Sequence, residues 1–392
     1  MFDPVKASKN IKEEFKSYIS TSFSFSDANL RKQFNEQLEN LIAKGPYLET
    51  NDVFVTGKSI RELINEGVIS PLFVDLEKNK KKGVDGKIIL PIDRPLYLHQ
   101  ERAIRTIVNG NNAVISTGTG SGKTNCFLIP VINDLLREKE AGTLGPGVRA
   151  LFIYPMNALA NDQLKNIRKL LMQYEDITFG VYNGGTEYNE DDAIKVYEAM
   201  FANEPLEKLR HRLKNELLSR EEMKDNPPNI LFTNYAMLEH LLFRPNDDAL
   251  FSKSDFKFVV LDEAHIYSGA TGIETSILLR RLKARITSSR ETQFILTSAT
   301  LGNGESSNDD IIKFANNLCG AGFKKENIIR AERKKYVPTS TGTLYPYSLI
   351  EELADEKNVV SEVLDKHGLK HGDGPEAELI YDFMPYRRTW RW

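Results

Sequence analysis

Cysteine is almost missing. The 392 residues hold two, Cys126 and Cys319, whose spacing matches neither a zinc ligand set nor a disulfide framework. A reducing, cytoplasmic setting is therefore expected. Long apolar runs are lacking too: stretches such as Phe258-Val259-Val260-Leu261 fall far short of the ~18 residues of a membrane span, so no membrane partner is expected. The opening Met1-Phe2-Asp3-Pro4-Val5-Lys6 has no apolar core of a signal peptide. Nor does one sign of charge dominate. Lys and Arg number 52 against 55 Asp and Glu, a net charge of −3, so a polyanion would have to be met by a local groove.

What is there is an ordinary globular composition, 41% hydrophobic and 27% charged, long enough for about two to three domains. Residues 1–95 carry three helical patterns, near 8–20, 27–43 and 60–69, and predict a small helical N-terminal region. The Lys run at 78–87 is open to contact with phosphate or with solvent alone. From 96 to 335 short apolar runs alternate with amphipathic stretches, which predicts an α/β domain with a parallel sheet. Strands are expected at 112–116, 149–154, 178–182, 229–233, 257–261 and 293–297. Their continuous apolar character suits a sheet covered by helices on both faces. Residues 187–227 interrupt this rhythm with a charged, helix-favouring stretch, expected as a helical insertion on the surface. Residues 336–392 predict a helical extension, with an acidic helix at 348–366 and an aromatic tail from Tyr386 to Trp392.

Two motifs carry chemistry. Ser116-Thr117-Gly118-Thr119-Gly120-Ser121-Gly122-Lys123-Thr124 follows an apolar strand and opens a helix. Glycines in that position let backbone N–H groups close around phosphate oxygens at a helix N-terminus, Lys123 would reach the β and γ phosphates, and the Thr124 hydroxyl would ligate Mg²⁺. The second is Val259-Val260-Leu261-Asp262-Glu263-Ala264-His265, an apolar strand ending in two carboxylates and a histidine. A strand's carboxyl end faces the ligand crevice of an open α/β sheet. Asp262 would hold Mg²⁺, and Glu263 would orient and deprotonate an attacking water. The expected catalytic set is Lys123, Asp262 and Glu263, with ATP and Mg²⁺ as cofactors.

Together these motifs resemble the DExH-box helicases of superfamily two over about residues 90–335. The loop has Thr117 where the general phosphate-loop pattern has Gly, and this Thr-Gly-x-Gly-x-Gly-Lys-Thr form is similar to the helicase variant. The resemblance implies a RecA-like P-loop NTPase domain and extends to further elements. In Leu96-Tyr97-Leu98-His99-Gln100, Gln100 would pair with adenine and Tyr97 would lie on the ring. In Tyr154-Pro155-Met156-Asn157, which looks like motif Ia, Pro155 and Asn157 would touch a sugar-phosphate backbone. Thr233-Asn234-Tyr235 looks like motif Ib, with Thr233 or Asn234 on another phosphate, and Gly184 would allow close approach between them. Thr297-Ser298-Ala299-Thr300 looks like motif III; Ser298 and Thr300, with His265 as partner, would join the ATP site to the nucleic-acid face. The chain is similar to large bacterial DExH helicases with long C-terminal regions, some linked to DNA repair or phage defence.

The resemblance implies an ATP-dependent helicase or translocase lobe acting on DNA, with RNA as the alternative substrate. The arginine-bearing element of a second RecA-like lobe is not found, so a truncated chain or a partner supplying that lobe is expected. The rival from another class is a nucleotide-gated, nucleic-acid-binding scaffold with little turnover of its own.

Overall fold

A computed structural model describes residues 4–23, 25–41, 53–75, 90–118, 120–202, 210–286, 288–301, 305–334, 352 and 360–368. The Lys run at 78–87, Thr119 and the aromatic tail lie outside these residues, as does most of the expected helix at 348–366. Contacts divide the chain into two units, Met1–Val53 with Lys335–Trp392, and Phe54–Lys334. In the first, helices α1 (Pro4–Ser22) and α2 (Ala28–Leu41) meet where Ser20 Oγ donates to Asn35 Oδ1 at 2.9 Å and Phe34 touches Phe23 and Phe25. A short helix, Val360–Lys366, belongs to the same unit.

The second unit opens with strand β1 (Thr56–Ser59), helix α3 (Ile60–Asn65), strand β2 (Pro95–Tyr97) and helix α4 (Leu98–Val108). β1 and β2 pair antiparallel. Ser59 starts α3 through a reciprocal cap: its hydroxyl accepts from the Glu62 N–H, and the Glu62 carboxylate accepts from the Ser59 N–H. Ile60, Leu63, Ile69 and Phe73 are buried in the same apolar cluster as the sheet residues Ile115, Phe152 and Ile295. The helical region expected over 1–95 therefore divides, and residues 54–75 and 90–95 pack with the sheet. A six-residue helix cannot hold its conformation without such a surface.

The chain then runs through β3 (Ala113–Ser116), α5 (Lys123–Glu140), β4 (Ala150–Tyr154), α6 (Asn157–Leu171), β5 (Phe179–Val181) and α7 (Glu190–Phe201). It continues through β6 (Glu216–Leu217), α8 (Arg220–Asp225), β7 (Ile230–Asn234), α9 (Tyr235–Phe243), α10 (Ala249–Ser252), β8 (Phe258–Leu261) and α11 (Gly269–Arg285). β9 (Gln293–Ser298), α12 (Asn308–Cys319) and β10 (Ile328–Arg330) complete it. These eight strands form one sheet in the order β10-β3-β9-β8-β4-β7-β5-β6, and every pairing is parallel. Helices cover both faces, which gives two apolar clusters and leaves β4, β8 and β9 buried at every position. The fold is the parallel-sheet, RecA-like α/β class, with the six expected strands as β3, β4, β5, β7, β8 and β9.

The stretch 187–227 differs from expectation. It contributes the edge strand β6 and buries Tyr197 and Phe201 of α7 against the core. Its central contact is the ion pair Arg168 Nε–Glu216 Oε2 at 3.0 Å, with side chains 1% and 2% exposed. The Tyr197 hydroxyl donates to the same Glu216 oxygen at 2.8 Å, and the Arg168 guanidinium lies 4.2 Å from the Phe201 ring centre. Burial pushes the Glu216 carboxyl up to about 7, against the pull of Arg168.

Removing one member of such a pair leaves the other charge buried alone. Arg168→Met should cost about 3–5 kcal/mol of unfolding free energy, read from the urea midpoint at unchanged slope, whereas Arg168→Met with Glu216→Leu should recover most of it. A single variant as stable as the parent would show that the pair is not what anchors this segment.

Candidate functional site

Parallel pairing collects the carboxyl ends of the strands on one edge, here called the crest. Neighbouring strands β3, β9 and β8 end at Ser116, Ser298 and Leu261, and β4, β7 and β5 end beside them at Tyr154, Asn234 and Val181. Register fixes the closeness: Ser116 lies opposite Ser298, Leu261 opposite Leu296 and Ile153, and Tyr154 opposite Asn234.

The loop between β3 and α5 turns through two glycines with positive φ, Gly120 at 74° and Gly122 at 73°. Gly122 is needed twice over, because a Cβ there would also meet Gln100 Nε2 at 2.4 Å, whereas Gly118 and Gly120 face open space. Ser121 Oγ lies 2.8 Å from both Thr117 Oγ1 and the Gly118 carbonyl oxygen, and Thr117 N–H donates to the Ser298 carbonyl at 3.1 Å. Lys123 Nζ donates to Glu263 Oε1 at 3.0 Å, and Thr124 Oγ1 donates to Gln163 Oε1 at 3.0 Å. Thr124 and Lys123 thus sit at the first turn of α5 with the far side of the loop open.

After β8 the backbone turns sharply. Glu263 has φ of 49°, the one non-glycine residue with positive φ among the described residues. Such a residue costs of order 1–3 kcal/mol and persists only where its surroundings hold it. Here the turn aims Glu263 at Lys123. Asp262 is 9% exposed and its carboxylate accepts from the Thr297 hydroxyl. Burial holds the Asp262 carboxyl above its usual range, with Glu263 adding to the effect. His265 Nδ1 lies 3.1 Å from Ser298 Oγ and 3.4 Å from Glu263 Oε2. The Thr300 backbone N–H donates to the Ser298 hydroxyl at 3.1 Å, while the Thr300 side chain faces solvent.

On the other half of the crest Asn234 Nδ2 donates to Asn157 Oδ1 at 2.6 Å, and Asn234 Oδ1 caps α9 by accepting from the Met237 N–H at 2.7 Å. Pro155 precedes Asn157 at the end of β4, and Gly184 lies in the turn after β5 with open space beside it. Thr233 stands apart. It is 1% exposed and its hydroxyl donates to the Tyr182 carbonyl at 2.8 Å. Gln100 is also occupied within the protein, accepting from the Tyr97 N–H at 3.0 Å and donating to the Gly122 carbonyl at 3.1 Å. Tyr97 stacks on His99 with ring centres 5.6 Å apart.

Sequence reasoning missed three residues here. Thr297 rather than Thr300 touches a neighbouring motif, Gln163 holds Thr124 from helix α6, and His99 Nε2 lies 2.9 Å from the Ser121 carbonyl. Burial lowers the His99 pKa, so the neutral imidazole donating from Nε2 is the favoured form. Thr297 and His99 sit inside quoted motifs, where a polar residue on a buried element was the available signal. Gln163 had none, since its role depends on how α6 lies across α5.

An α/β domain with a glycine-rich loop at one strand end and a buried carboxylate at the end of the next strand but one is the class this crest defines. The family described as DEAD/DEAH box helicase matches residues 97–307, and the chain belongs to that family. It is 29% identical over 416 aligned residues to the Druantia protein DruE of Escherichia coli, which covers 83% of this chain and 22% of that protein. It is also 29% identical over 210 residues to the ATP-dependent helicase hrq1 of Schizosaccharomyces pombe, covering 52% of this chain and 16% of that one. The chain thus spans about a fifth of the length of these curated relatives. Among solved structures it is similar to the DUF1998 helicase MrfA bound to DNA and AMPPNP, at 20% identity and a TM-score of 0.48, over 84% of this chain and 38% of that one. Among the described residues, no helix is long and apolar enough to cross a membrane.

The loop geometry generates a paired test. Gly122→Ala should cost about 1–3 kcal/mol, because it forces a side chain into positive φ and onto Gln100, while Gly118→Ala should change thermal stability by less than about 0.5 kcal/mol. Equal effects of the two would mean that the Gln100–Gly122 contact does not constrain the loop.

Proposed function

We propose that this domain is the first lobe of an ATP-driven motor that acts on nucleic acid, with DNA as the substrate put forward and RNA as the alternative, and that ATP hydrolysis with Mg²⁺ is its reaction. The observation that carries this reading is the 3.0 Å contact between Lys123 and Glu263, which brings the phosphate-loop cation and the carboxylate of the Asp-Glu-Ala-His segment to one point.

The residues present fit ATP and Mg²⁺. Gly118 and Gly120 leave backbone N–H groups beside open space at the N-terminus of α5, where anions are favoured. Thr124 and Asp262 offer a hydroxyl and a carboxylate, the hard oxygen donors that Mg²⁺ takes together with substrate phosphates. Glu263 Oε2 is buried and forms no hydrogen bond, with His265 Nδ1 3.4 Å away, so it can accept from a water or a hydrated ion. A dication at this position would supply charge neutralisation for the phosphates and would favour ionised Asp262.

In the mechanism proposed, Lys123 exchanges Glu263 for phosphate oxygens as the nucleotide seats. Glu263, released, orients a water and accepts its proton. Asp262, held by Thr297, would hold the ion. Tyr97 and Gln100 stand where the loop closes, and Gln100 has one N–H to offer adenine beyond its bond to Gly122. His265 and Ser298 link Glu263 to the end of β9, within the nucleotide half of the crest. On the neighbouring half Pro155, Asn157, Gly184 and Asn234 would meet a sugar-phosphate backbone; Thr233, committed to Tyr182, would act only by fixing the strand end. A second RecA-like lobe, from elsewhere in the same protein or from a partner, belongs to this reading, because translocation needs two bodies that open and close on ATP.

Lys123→Ala should abolish binding of a fluorescent ATP analogue, since the phosphates lose their point charge; near-normal affinity in a folded variant would remove Lys123 from the site. Glu263→Gln should keep nucleotide binding while lowering hydrolysis at least ~10²-fold, and an unchanged rate would assign the base to another residue. The 392-residue chain by itself should bind ATP, hydrolyse it slowly and leave a duplex intact, because an arginine delivered across the nucleotide is worth about 10³–10⁵ in turnover. Duplex separation by the monomeric chain at helicase rates would contradict the single-lobe account.

A further inference from the structure

Outside the motifs, one cavity combines cations, aromatic rings and a buried carboxylate. It has a volume of about 340 Å³, and Tyr182, Tyr188, Arg220, Lys224, Arg244 and Asp247 are among the residues that line it. Its floor is built and rigid. Asp247, 1% exposed, accepts from the Tyr182 hydroxyl at 2.9 Å and pairs with Lys224 Nζ at 2.9 Å. The Arg220 guanidinium lies 5.5 Å from the Tyr182 ring centre and donates to the carbonyls of Thr186 at 2.7 Å and Asn183 at 3.2 Å. These carbonyls belong to the turn after β5, so the cavity opens beside the crest at Gly184.

Charge in the cavity is one-sided. Arg220, Lys224 and Arg244 carry three positive charges against the single negative charge of Asp247, a local excess of two in a chain whose net charge is −3. Asp247 compensates Lys224; neither Arg220 nor Arg244 forms an ion pair among the described residues. Arg244 ends α9, where Pro245 prevents the helix from continuing, and its side chain is exposed. Tyr188 shows 60% of its surface to solvent with Lys224 Nζ 5.5 Å from its ring centre. Guanidiniums without a carboxylate partner, beside an exposed ring, are the chemistry that holds a phosphodiester and stacks a base.

We propose that this cavity is a nucleic-acid subsite, in which Arg244 and Arg220 bind a phosphate of a single strand leaving the crest at Gly184 and Tyr188 stacks on its base. The proposal rests on the reading of the crest as a nucleic-acid face, and it extends that face from short polar side chains to a charged anchor.

The test titrates the 392-residue chain against a labelled oligothymidylate of about 20 nucleotides at several salt concentrations. Arg244→Ala should weaken binding about fivefold and lower the slope of log Kd against log salt by about 0.7, the value of one single-strand phosphate contact, while Arg244→Lys keeps the slope. Tyr188→Ala should weaken binding at least about fivefold with the slope unchanged. Binding of an ATP analogue should be the same in all three. Asn157→Ala serves as the crest control. If Asn157→Ala weakens binding and the Arg244 and Tyr188 variants match the parent, the subsite is overturned and the crest stands. If the parent chain does not bind the strand, both readings fall. If Arg244→Ala loses inorganic phosphate but not the oligonucleotide, the cavity serves a free anion and the strand assignment is overturned.

Discussion

Parallel register is the constraint on which everything else rests. Because β3, β9, β8, β4, β7 and β5 all point the same way, six loops far apart in sequence open onto one edge. Lys123 and Glu263 are 140 residues apart, yet the adjacency of β3, β9 and β8 leaves their side chains 3.0 Å from each other. Both are mostly buried, at 14% and 23% exposure, and a mostly buried charge needs a partner. Each therefore holds the other, and in the proposed mechanism phosphate oxygens would compete for the lysine. The positive φ of Glu263 belongs to the same arrangement, a local strain held by the packing of β8 that aims the carboxylate across the crest.

Strand order also explains how two chemistries can share the edge. The nucleotide motifs end β3, β9 and β8, the proposed backbone contacts end β4, β7 and β5, and the join falls at the pairing of β8 with β4. Helix α6 crosses the join. Its first residue, Asn157, accepts from Asn234 on one side, and Gln163, two turns on, receives the Thr124 hydroxyl on the other. His265, near both Glu263 and Ser298, ties the ends of β8 and β9 together on the nucleotide side of the join. The first two turns of one helix thus touch both halves of the crest.

Much of the fold was legible because it is local. A strand covered on both faces reads as an unbroken apolar run, and six such runs predicted β3, β4, β5, β7, β8 and β9 within a residue or two. The phosphate loop and the carboxylate pair were legible for the same reason, since each is a short segment whose chemistry depends on its own spacing. What depended on packing was not. β10 brings only two apolar residues together and β6 one, too few to read as an apolar run. The charged look of 187–227 concealed an ion pair of Arg168 with Glu216, and residues 54–95 looked independent although Ile60, Leu63 and Phe73 fill the main core. The sequence does not show that β9 ends at Ser298, so it could not separate buried Thr297, which holds Asp262, from Thr300, which lies past the strand and faces solvent. Nor could the sequence show that the Thr233 hydroxyl, at a buried strand end, donates to a backbone carbonyl.

The central claim is that one crest holds two adjoining sites. Hydrogen exchange read by mass spectrometry tests it most directly, with a non-hydrolysable ATP analogue and Mg²⁺ in one arm and a single-stranded oligonucleotide in the other. The account predicts that the nucleotide protects the strand ends and loops at 117–124, 262–265 and 297–300, and that the strand protects 155–157, 183–186 and 233–237. Protection by either ligand confined to segments away from the carboxyl ends of these strands, or both ligands protecting the same loops, would contradict it.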